Sequence, residues 1–451
     1  MPDLLDLPPG PRQPPIAQLL QWVARPLEFA SRQRERFGDV FTLSFDGEPI
    51  VFLADPQDVR TIFTGGAETM HAGAANAPLE PVVGPRSILL LDEREHLRER
   101  RMMLPAFHGE RMSGYAAVME EAAERDVATW PVGQEIVLLP RMQAITLEVI
   151  TRALFGIDEG LEMERLRALM RRMLGLTMSV GRLILRVTLG PESQRLNASF
   201  RAVMDPLDAE LQRLIAERRR DPGLDQREDV LSMLLLARDE DGEGLGDAEL
   251  RDELITLLLA GHETTATTLA WTFERLTRHP EKLERVVAEA AAGGDAPYTE
   301  AVIAETLRTR PVVPLVARVL QSPVTVGQGR FRLPTGTRVA PAIILVHNRE
   351  DLYPDPLEFR PERFLDEPAG TYTWLPFGGG LRRCLGASFA QMEIRVVLHA
   401  VLARVELEPV GADERVGRRG FTLVPARGAR VRLVRRVAGS AQSSDRALAA
   451  A

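Results

Sequence analysis

From Asp92 to about Val287, almost every residue of this 451-residue chain falls in a segment with helical period. The segments are Asp92–Met103, Met112–Trp130, Arg141–Phe155, Glu162–Met173, Ser193–Arg220, Asp229–Asp239 and Asp247–Arg278. Apolar residues recurring every three to four positions over so long a run predict a helical body. Strand signals are confined to the flanks. Val40–Phe45 and Ile50–Leu53, joined by Asp46-Gly47-Glu48-Pro49, read as a hairpin, and alternation returns over Val319–Val339 and Phe421–Val434. The predicted fold class is mainly α, with a small β lobe built from N-terminal and C-terminal pieces. Residues 65–91, rich in Gly, Ala and Pro, read as a long irregular loop, a kind of segment that is usually functional or disordered.

With 45% apolar and 27% charged residues and no low-complexity block, the chain can bury a large core. Composition breaks predict a proline-rich N-terminal segment over 1–25, one domain over 26–435 and a disordered tail over 436–451. The longest stretch without a charged residue, Pro368–Leu381, holds four glycines and two prolines, so no membrane span is expected. The N-terminus, with early acids and prolines, does not read as a signal peptide, and a cytoplasmic location is expected. A net charge of −8 gives no strongly basic footprint for nucleic acid. All but one of the 56 basic residues are arginine, the exception being Lys282.

One cysteine, Cys384, excludes an intrachain disulfide and a thiolate zinc cage. It stands in Phe377-Gly378-Gly379-Gly380-Leu381-Arg382-Arg383-Cys384-Leu385-Gly386, just before an amphipathic helix predicted over Ser388–Val405. At a helix start, free backbone N–H groups and the helix dipole favour thiolate over thiol, and the three glycines are expected to let N–H groups approach the sulfur. A lone cysteine is usually buried core filler. This setting suits a stable anionic sulfur ligand better. Arg382 is placed to reach a carboxylate beside whatever the sulfur binds, and Phe377 to shield the sulfur from water.

The predicted helix Asp247–Arg278 would be about 48 Å long at 1.5 Å per residue. Its centre, Leu257-Leu258-Leu259-Ala260-Gly261-His262-Glu263-Thr264-Thr265, places a glycine, an acid and two β-branched hydroxyls after an apolar run. Gly261 costs roughly 1 kcal/mol relative to alanine. Either a Thr264 hydroxyl bonded to the Ala260 carbonyl opens the ladder into a groove for a small ligand or water, or Gly261 makes room for a packed neighbour.

The cysteine stretch resembles the ligand loop of the cytochrome P450 family, Phe-x-x-Gly-x-Arg-x-Cys-x-Gly, matched by Phe377, Gly380, Arg382, Cys384 and Gly386. The helix centre is similar to the family's oxygen-binding Ala-Gly-x-Glu-Thr-Thr, and the resemblance spans about Pro9 to Arg435. It implies the P450 fold, with a long central oxygen-binding helix and a cysteine loop opening the proximal helix. The implied cofactor is haem b, iron protoporphyrin IX, with Cys384 as iron ligand and Ala260, Phe377, Gly378, Arg382 and Gly386 against the cofactor. Glu263 and Thr264 would relay protons, and His262, at the variable position, would have no ligand role.

Glu305 and Arg308, three apart, share one helix face. Phe359-Arg360-Pro361-Glu362-Arg363-Phe364 resembles the family segment whose arginine joins that pair, so Glu305, Arg308 and Arg363 are expected to form a partly buried network. His96 and Arg100, four apart, resemble the family's pair that binds the haem propionates, and Arg318 resembles the arginine of the strand that follows. With Arg382 they would give four donors for two carboxylates.

The resemblance implies a soluble haem-thiolate monooxygenase of bacterial type. The alternative is a peroxide-driven or isomerising haem-thiolate enzyme, against which the intact Glu263–Thr264 pair speaks; a non-catalytic haem sensor or carrier is a further reading. The chain ends soon after Cys384, so electrons are expected from a separate ferredoxin or flavodoxin with its NAD(P)H-dependent reductase, and the protein is expected to be a monomer. The expected pocket linings are mostly aliphatic: the 65–91 loop, Met170–Leu189, Ala260, Val312–Val316 and Phe421–Val424. They suit an apolar substrate such as a fatty acid, terpenoid or steroid-like molecule. Leu104–Met112 looks like a stretch in bacterial relatives that oxidise fatty acids or terpenoids. Arg98, Arg101, Arg383 and Arg395 are expected to cluster on the cysteine side as a docking patch for an acidic donor.

Overall fold

The computed structural model describes residues 7–107, 111–157, 160–177, 179 and 194–437. The predicted tail from 438 onward, residues 108–110 and the 180–189 part of the expected pocket lining lie outside the described residues.

Helices α1 (Pro15–Ala24) and α2 (Pro26–Phe37) precede strands β1 (Val40–Ser44) and β2 (Pro49–Leu53), helix α3 (Pro56–Thr64) and the short strand β3 (Met70–His71). The body follows with α4 (Glu93–Met103), α5 (Arg111–Ala128), strand β4 (Glu135–Val137), α6 (Leu138–Phe155), α7 (Leu161–Thr177), α8 (Gln194–Arg219) and α9 (Val230–Leu236). It continues with α10 (Asp247–Thr277), α11 (Pro280–Ala292) and α12 (Pro297–Thr309). Prolines mark the starts of α1, α2, α3, α11 and α12, where the missing N–H is no loss. Strands β5 (Arg318–Leu320), β6 (Val324–Val326), β7 (Phe331–Leu333) and β8 (Arg338–Pro341) lead through the cysteine loop to α13 (Ala387–Leu402). The chain closes with β9 (Val405–Pro409), β10 (Val416–Arg419), β11 (Thr422–Pro425) and β12 (Arg430–Arg436).

α10 organises the interior. It is 31 residues long and apolar around most of its circumference, the pattern of a helix enclosed by others. From Asp252 to Thr277 every residue is buried except Ala260, Gly261 and Thr264. α6 packs so closely that a Cβ on Gly261 would stand 3.0 Å from Ile150 Cδ1, so the glycine does make room for a neighbour.

The hairpin joins the later strands as expected: one five-stranded sheet runs β1-β2-β8-β5-β3, with β2 parallel to β8. The single lobe does not hold in full, because β10–β11 and β4-β12-β9 are separate small sheets. Strands of three to five residues such as β4 and β9 are too short to show alternation. Residues 7–25 share the domain's core. Thr42 N–H donates to the Pro9 carbonyl at 3.0 Å, and Trp22 stacks on Phe45 and meets Phe52 edge-on.

The 65–91 stretch is more ordered than an irregular loop. It holds β3 and single helical turns over 72–76 and 80–83, fastened to α10 by three side chains. Asp252 accepts from Arg86 N–H at 2.9 Å, Glu253 from Ile88 N–H at 2.6 Å, and Thr256 shares a hydrogen bond with Ser87 at 2.7 Å. Among the described residues no helix is long and apolar enough to cross a membrane.

Candidate active site

Cys384 lies two residues before Gly386, the N-cap of α13, and its backbone N–H donates to the Phe377 carbonyl at 2.9 Å, closing the loop on itself. The glycines serve packing more than the sulfur. At Gly380, where φ is +64°, a Cβ would stand 1.9 Å from the Phe63 carbonyl, and at Gly379 it would strike the Phe63 ring. The end of α3 therefore seats the loop, a role the sequence does not reveal. By contrast, a Cβ on Gly378 or Gly386 would project into open space. Phe377 is half-buried and meets Trp374 edge-on, while the Trp374 indole N–H donates to the Ala304 carbonyl on α12 at 3.1 Å.

The thiol is exposed by surface area, yet so enclosed that burial pushes its pKa up, against the Gly386 N–H and the charges of Arg383 and Arg100. The two observations agree if the sulfur opens onto an internal cavity rather than bulk water. They also correct the expectation drawn from the helix start: burial outweighs the N–H groups, and a bound metal would be what deprotonates the thiol.

On α10 the unburied residues Ala260 and Thr264 are four apart, on one face. Thr264 Oγ1 donates to the Ala260 carbonyl at 2.7 Å, as the groove reading required. Glu263 is fully buried. Its Oε2 accepts from Gln143 on α6 at 2.9 Å, and Oε1 stands 3.4 Å from Arg419 Nε. Burial raises its pKa, and Arg419 and Gln143 oppose this only in part. Gln143 and Arg419 come from distant segments and carry no sequence signal. His262 pairs with Thr146 at 2.9 Å, and burial lowers its pKa to about 3. It has no ligand role toward the opening.

Three arginines and a histidine gather beside the cysteine loop. His96 is buried, and burial with the charges of Arg382, Arg100 and Arg318 drives its pKa to about 3, so it is a neutral donor. Burial lowers Arg318 and Arg382 to about 10 and Arg100 in the same direction. Arg382 is less free than expected: it donates to the Ile88 carbonyl at 2.9 Å, to the Leu91 carbonyl and to Asp92 Oδ1 at 2.5 Å. Asp92 also accepts from the N–H groups of Gly73 and Ala74. The sequence offered Asp92 only as the start of a helix. Arg318 donates just to its neighbouring carbonyl, Ala317, and the Arg100 and His96 side chains have no hydrogen-bond partner among the described residues.

The Glu305 network is closed. Arg308 donates to both Glu305 oxygens at 2.7 and 2.8 Å, Arg363 Nε to Oε1 at 3.2 Å and Arg360 N–H to Oε1 at 2.9 Å. His347, not anticipated, ties this to the cysteine loop. Its Nδ1–H donates to the Arg308 carbonyl at 3.2 Å and its Nε2 accepts from Leu375 N–H at 2.7 Å.

Three of the four arginines of the expected docking patch are paired with carboxylates. Arg98 is held by Asp239 at 2.5 Å, Arg395 by Glu300 at 3.3 Å and Arg101 by Glu240. Only Arg383 of the four is exposed without a side-chain partner among the described residues.

These residues fit a haem. An enclosed, accessible thiol, open space beyond Gly378 and Gly386, and a cluster of donors of which only Arg382 pairs with a carboxylate are the complement of an iron porphyrin with two propionates. The family model described as Cytochrome P450 matches residues 8–428. A Mycobacterium tuberculosis protein named cytochrome P450 135B1 is 44% identical over 438 residues, covering 95% of this chain and 92% of that one. Another from the same organism, named cytochrome P450 137, is 40% identical over 452 residues, covering 96% and 92%. Among solved structures, retinoic acid-bound cyanobacterial CYP120A1 superposes with a TM-score of 0.82 at 26% identity, covering 96% of this chain and 99% of that one. The cytochrome P450DA heme domain gives 0.80 at 25% identity, covering 96% and 98%.

Proposed function

Because the chain belongs to the cytochrome P450 family, it is a haem-thiolate monooxygenase that uses haem b, and we propose that Cys384 is the iron ligand and the substrate an apolar organic molecule. Bound haem supplies the oxygen chemistry: with two electrons, two protons and O2, one oxygen atom enters the substrate and the other leaves as water. Cys384 provides the thiolate, steadied by the Gly386 N–H and held in place by the loop's contacts with Phe63. Arg100, Arg318, Arg382 and neutral His96 receive the propionates. Glu263, whose raised pKa lets it hold a proton in a buried site, is the proton donor, and Thr264 presents its lone pairs to the opening beside Ala260.

The enclosed yet accessible thiol carries this reading. The reduced carbonyl complex should show the red-shifted Soret band of thiolate ligation, lost in Cys384→His; a wild-type spectrum like that of a histidine-ligated globin would overturn the assignment.

Buried aliphatic residues of the fastened stretch, Val82, Val83 and Ile88, with Val312, support an apolar substrate of fatty acid, terpenoid or steroid-like class. The retinoic acid bound by the cyanobacterial neighbour favours terpenoid-like molecules among these. Substrate-induced difference spectra over such a panel test the class, and no spectral shift with any member would reject it. Electrons come in this reading from a separate ferredoxin or flavodoxin with its reductase, to a monomer in the cytoplasm.

A further inference from the structure

Glu263, Thr267, Trp271 and Arg275 follow one another at intervals of four and form one ridge of α10. All four are buried. Each carries a side-chain atom without a hydrogen-bond partner among the described residues: Glu263 Oε1, Thr267 Oγ1, Trp271 Nε1 and Arg275 Nη2. The adjacent ridge behaves differently. Thr264, Thr268 and Thr272 turn their hydroxyls onto the carbonyls four residues back at 2.7, 3.0 and 2.8 Å. Thr267 has the same option and does not take it. An unsatisfied buried polar group costs about 1–3 kcal/mol, and four along one ridge point to a shared polar partner that is not protein.

We propose that a file of ordered water runs along this ridge from Glu263 to the surface near Asp413 and returns protons to Glu263. The proposal rests on the reading of Glu263 as proton donor and adds its route of resupply. Successive ridge residues rise about 6 Å along the axis, a gap that one or two waters bridge. Such waters typically make about three hydrogen bonds to otherwise unpaired buried groups.

The outer end reaches solvent. Arg310, at the end of α12, lies 5.2 Å over the Trp271 ring with its Nε unpartnered, and Arg275 Nη2 stands 3.9 Å from the carboxylate of Asp413, whose side chain is 76% exposed. Glu274 holds Arg275 Nε at 2.5 Å and balances its charge. The file also has a direction. Trp271, Arg275 and Arg310 can only donate, so they fix the oxygen ends of the waters and turn water protons inward. Thr267 both accepts and donates, and Glu263 Oε1 accepts.

After Glu263 has given up its proton, an O–H bond forms on Oε1 as an O–H bond of the bridging water breaks, and that water takes the Thr267 hydroxyl proton in turn. The Thr267 oxygen takes a proton from the next water, and the deficit moves outward to bulk water at Asp413. No electrons move along this route.

Infrared spectroscopy tests it on the protein itself. The C=O band of protonated Glu263, identified by its absence in Glu263→Gln, shifts when the carboxyl proton exchanges in D2O. Thr267→Val should slow that exchange by at least about tenfold and lower the fraction of electrons coupled to product several-fold, with haem loading unchanged, and Thr267→Ser should restore both. The Trp271 indole N–H, labelled with 15N, should exchange with water in the folded protein. Exchange as fast in Thr267→Val as in wild type, or an indole proton shielded from water, overturns the file. Unchanged coupling in Glu263→Gln instead overturns the reading of Glu263 on which the file's purpose depends.

Discussion

Two groups of arginines flank the cysteine loop, and they are completed in opposite ways. At Glu305, two guanidiniums and a backbone N–H converge on one carboxylate, and the remaining Arg308 donors end on the carbonyls of His347 and Pro356 at 2.7 and 2.9 Å. At His96, only Arg382 is bonded to a carboxylate, that of Asp92, and burial, with repulsion from neighbouring arginines, depresses His96 and all three guanidiniums. Residue type is alike in the two places. What separates a structural network from a ligand site is the charge that the protein leaves unneutralised.

The largest effect is expected where the network is closed. Arg308→Leu leaves the Glu305 carboxylate buried with half its donors, a loss of about 3–5 kcal/mol, read as a lower urea midpoint and little haem-loaded protein. A midpoint near wild type would break the contrast at its stronger side.

α4, which carries His96 and Arg100, has the opposite excess at Glu99. Burial first and then Glu249 raise the Glu99 pKa to about 7, with Arg98 opposing. A carboxyl whose folded pKa exceeds its unfolded value contributes stability in full below about pH 4.5, and that contribution is lost as pH rises through 7. Glu99→Gln should therefore shrink the fall in unfolding free energy between pH 5 and pH 8, by an amount on the order of 2 kcal/mol. An identical fall in the variant would show that Glu99 is not strained.

At the open cluster the sign reverses. Arg318→Leu removes one of several like charges, so the haem-free protein should hold its stability or gain roughly 1 kcal/mol, while haem dissociates faster. A destabilised haem-free protein would mean that the chain itself closes this cluster.

The parts of this arrangement that were legible in the sequence are those whose partners are local. Glu305 and Arg308 lie three apart, Thr264 and Ala260 four apart, and the cysteine loop is contiguous, so helical spacing and a short motif suffice. Asp92 and Arg382 are 290 residues apart, and His347 reaches the loop through a backbone N–H, so neither leaves a pattern. The glycines were legible as a need for close approach, but the approaching group proved to be Phe63 rather than the sulfur. Helical segments were legible through their period, whereas the extra strands were too short for alternation to show.

The smallest effect carries the same contrast to the surface. Arg98, Arg101 and Arg395 are closed by carboxylates, and Arg383, next to Cys384, is open. If an acidic electron donor docks by steering, the open cation should matter and the closed ones should not, because a paired guanidinium presents little net charge. Arg383→Gln should raise the Michaelis constant for the donor by about twofold to fivefold and reduce the slowing of electron transfer with salt, leaving substrate binding intact. Arg98→Gln and Arg101→Gln should leave both unchanged. Stopped-flow reduction equally salt-dependent in the Arg383 variant, or weakened instead by the Arg98 or Arg101 change, would show that pairing does not decide which surface cations act.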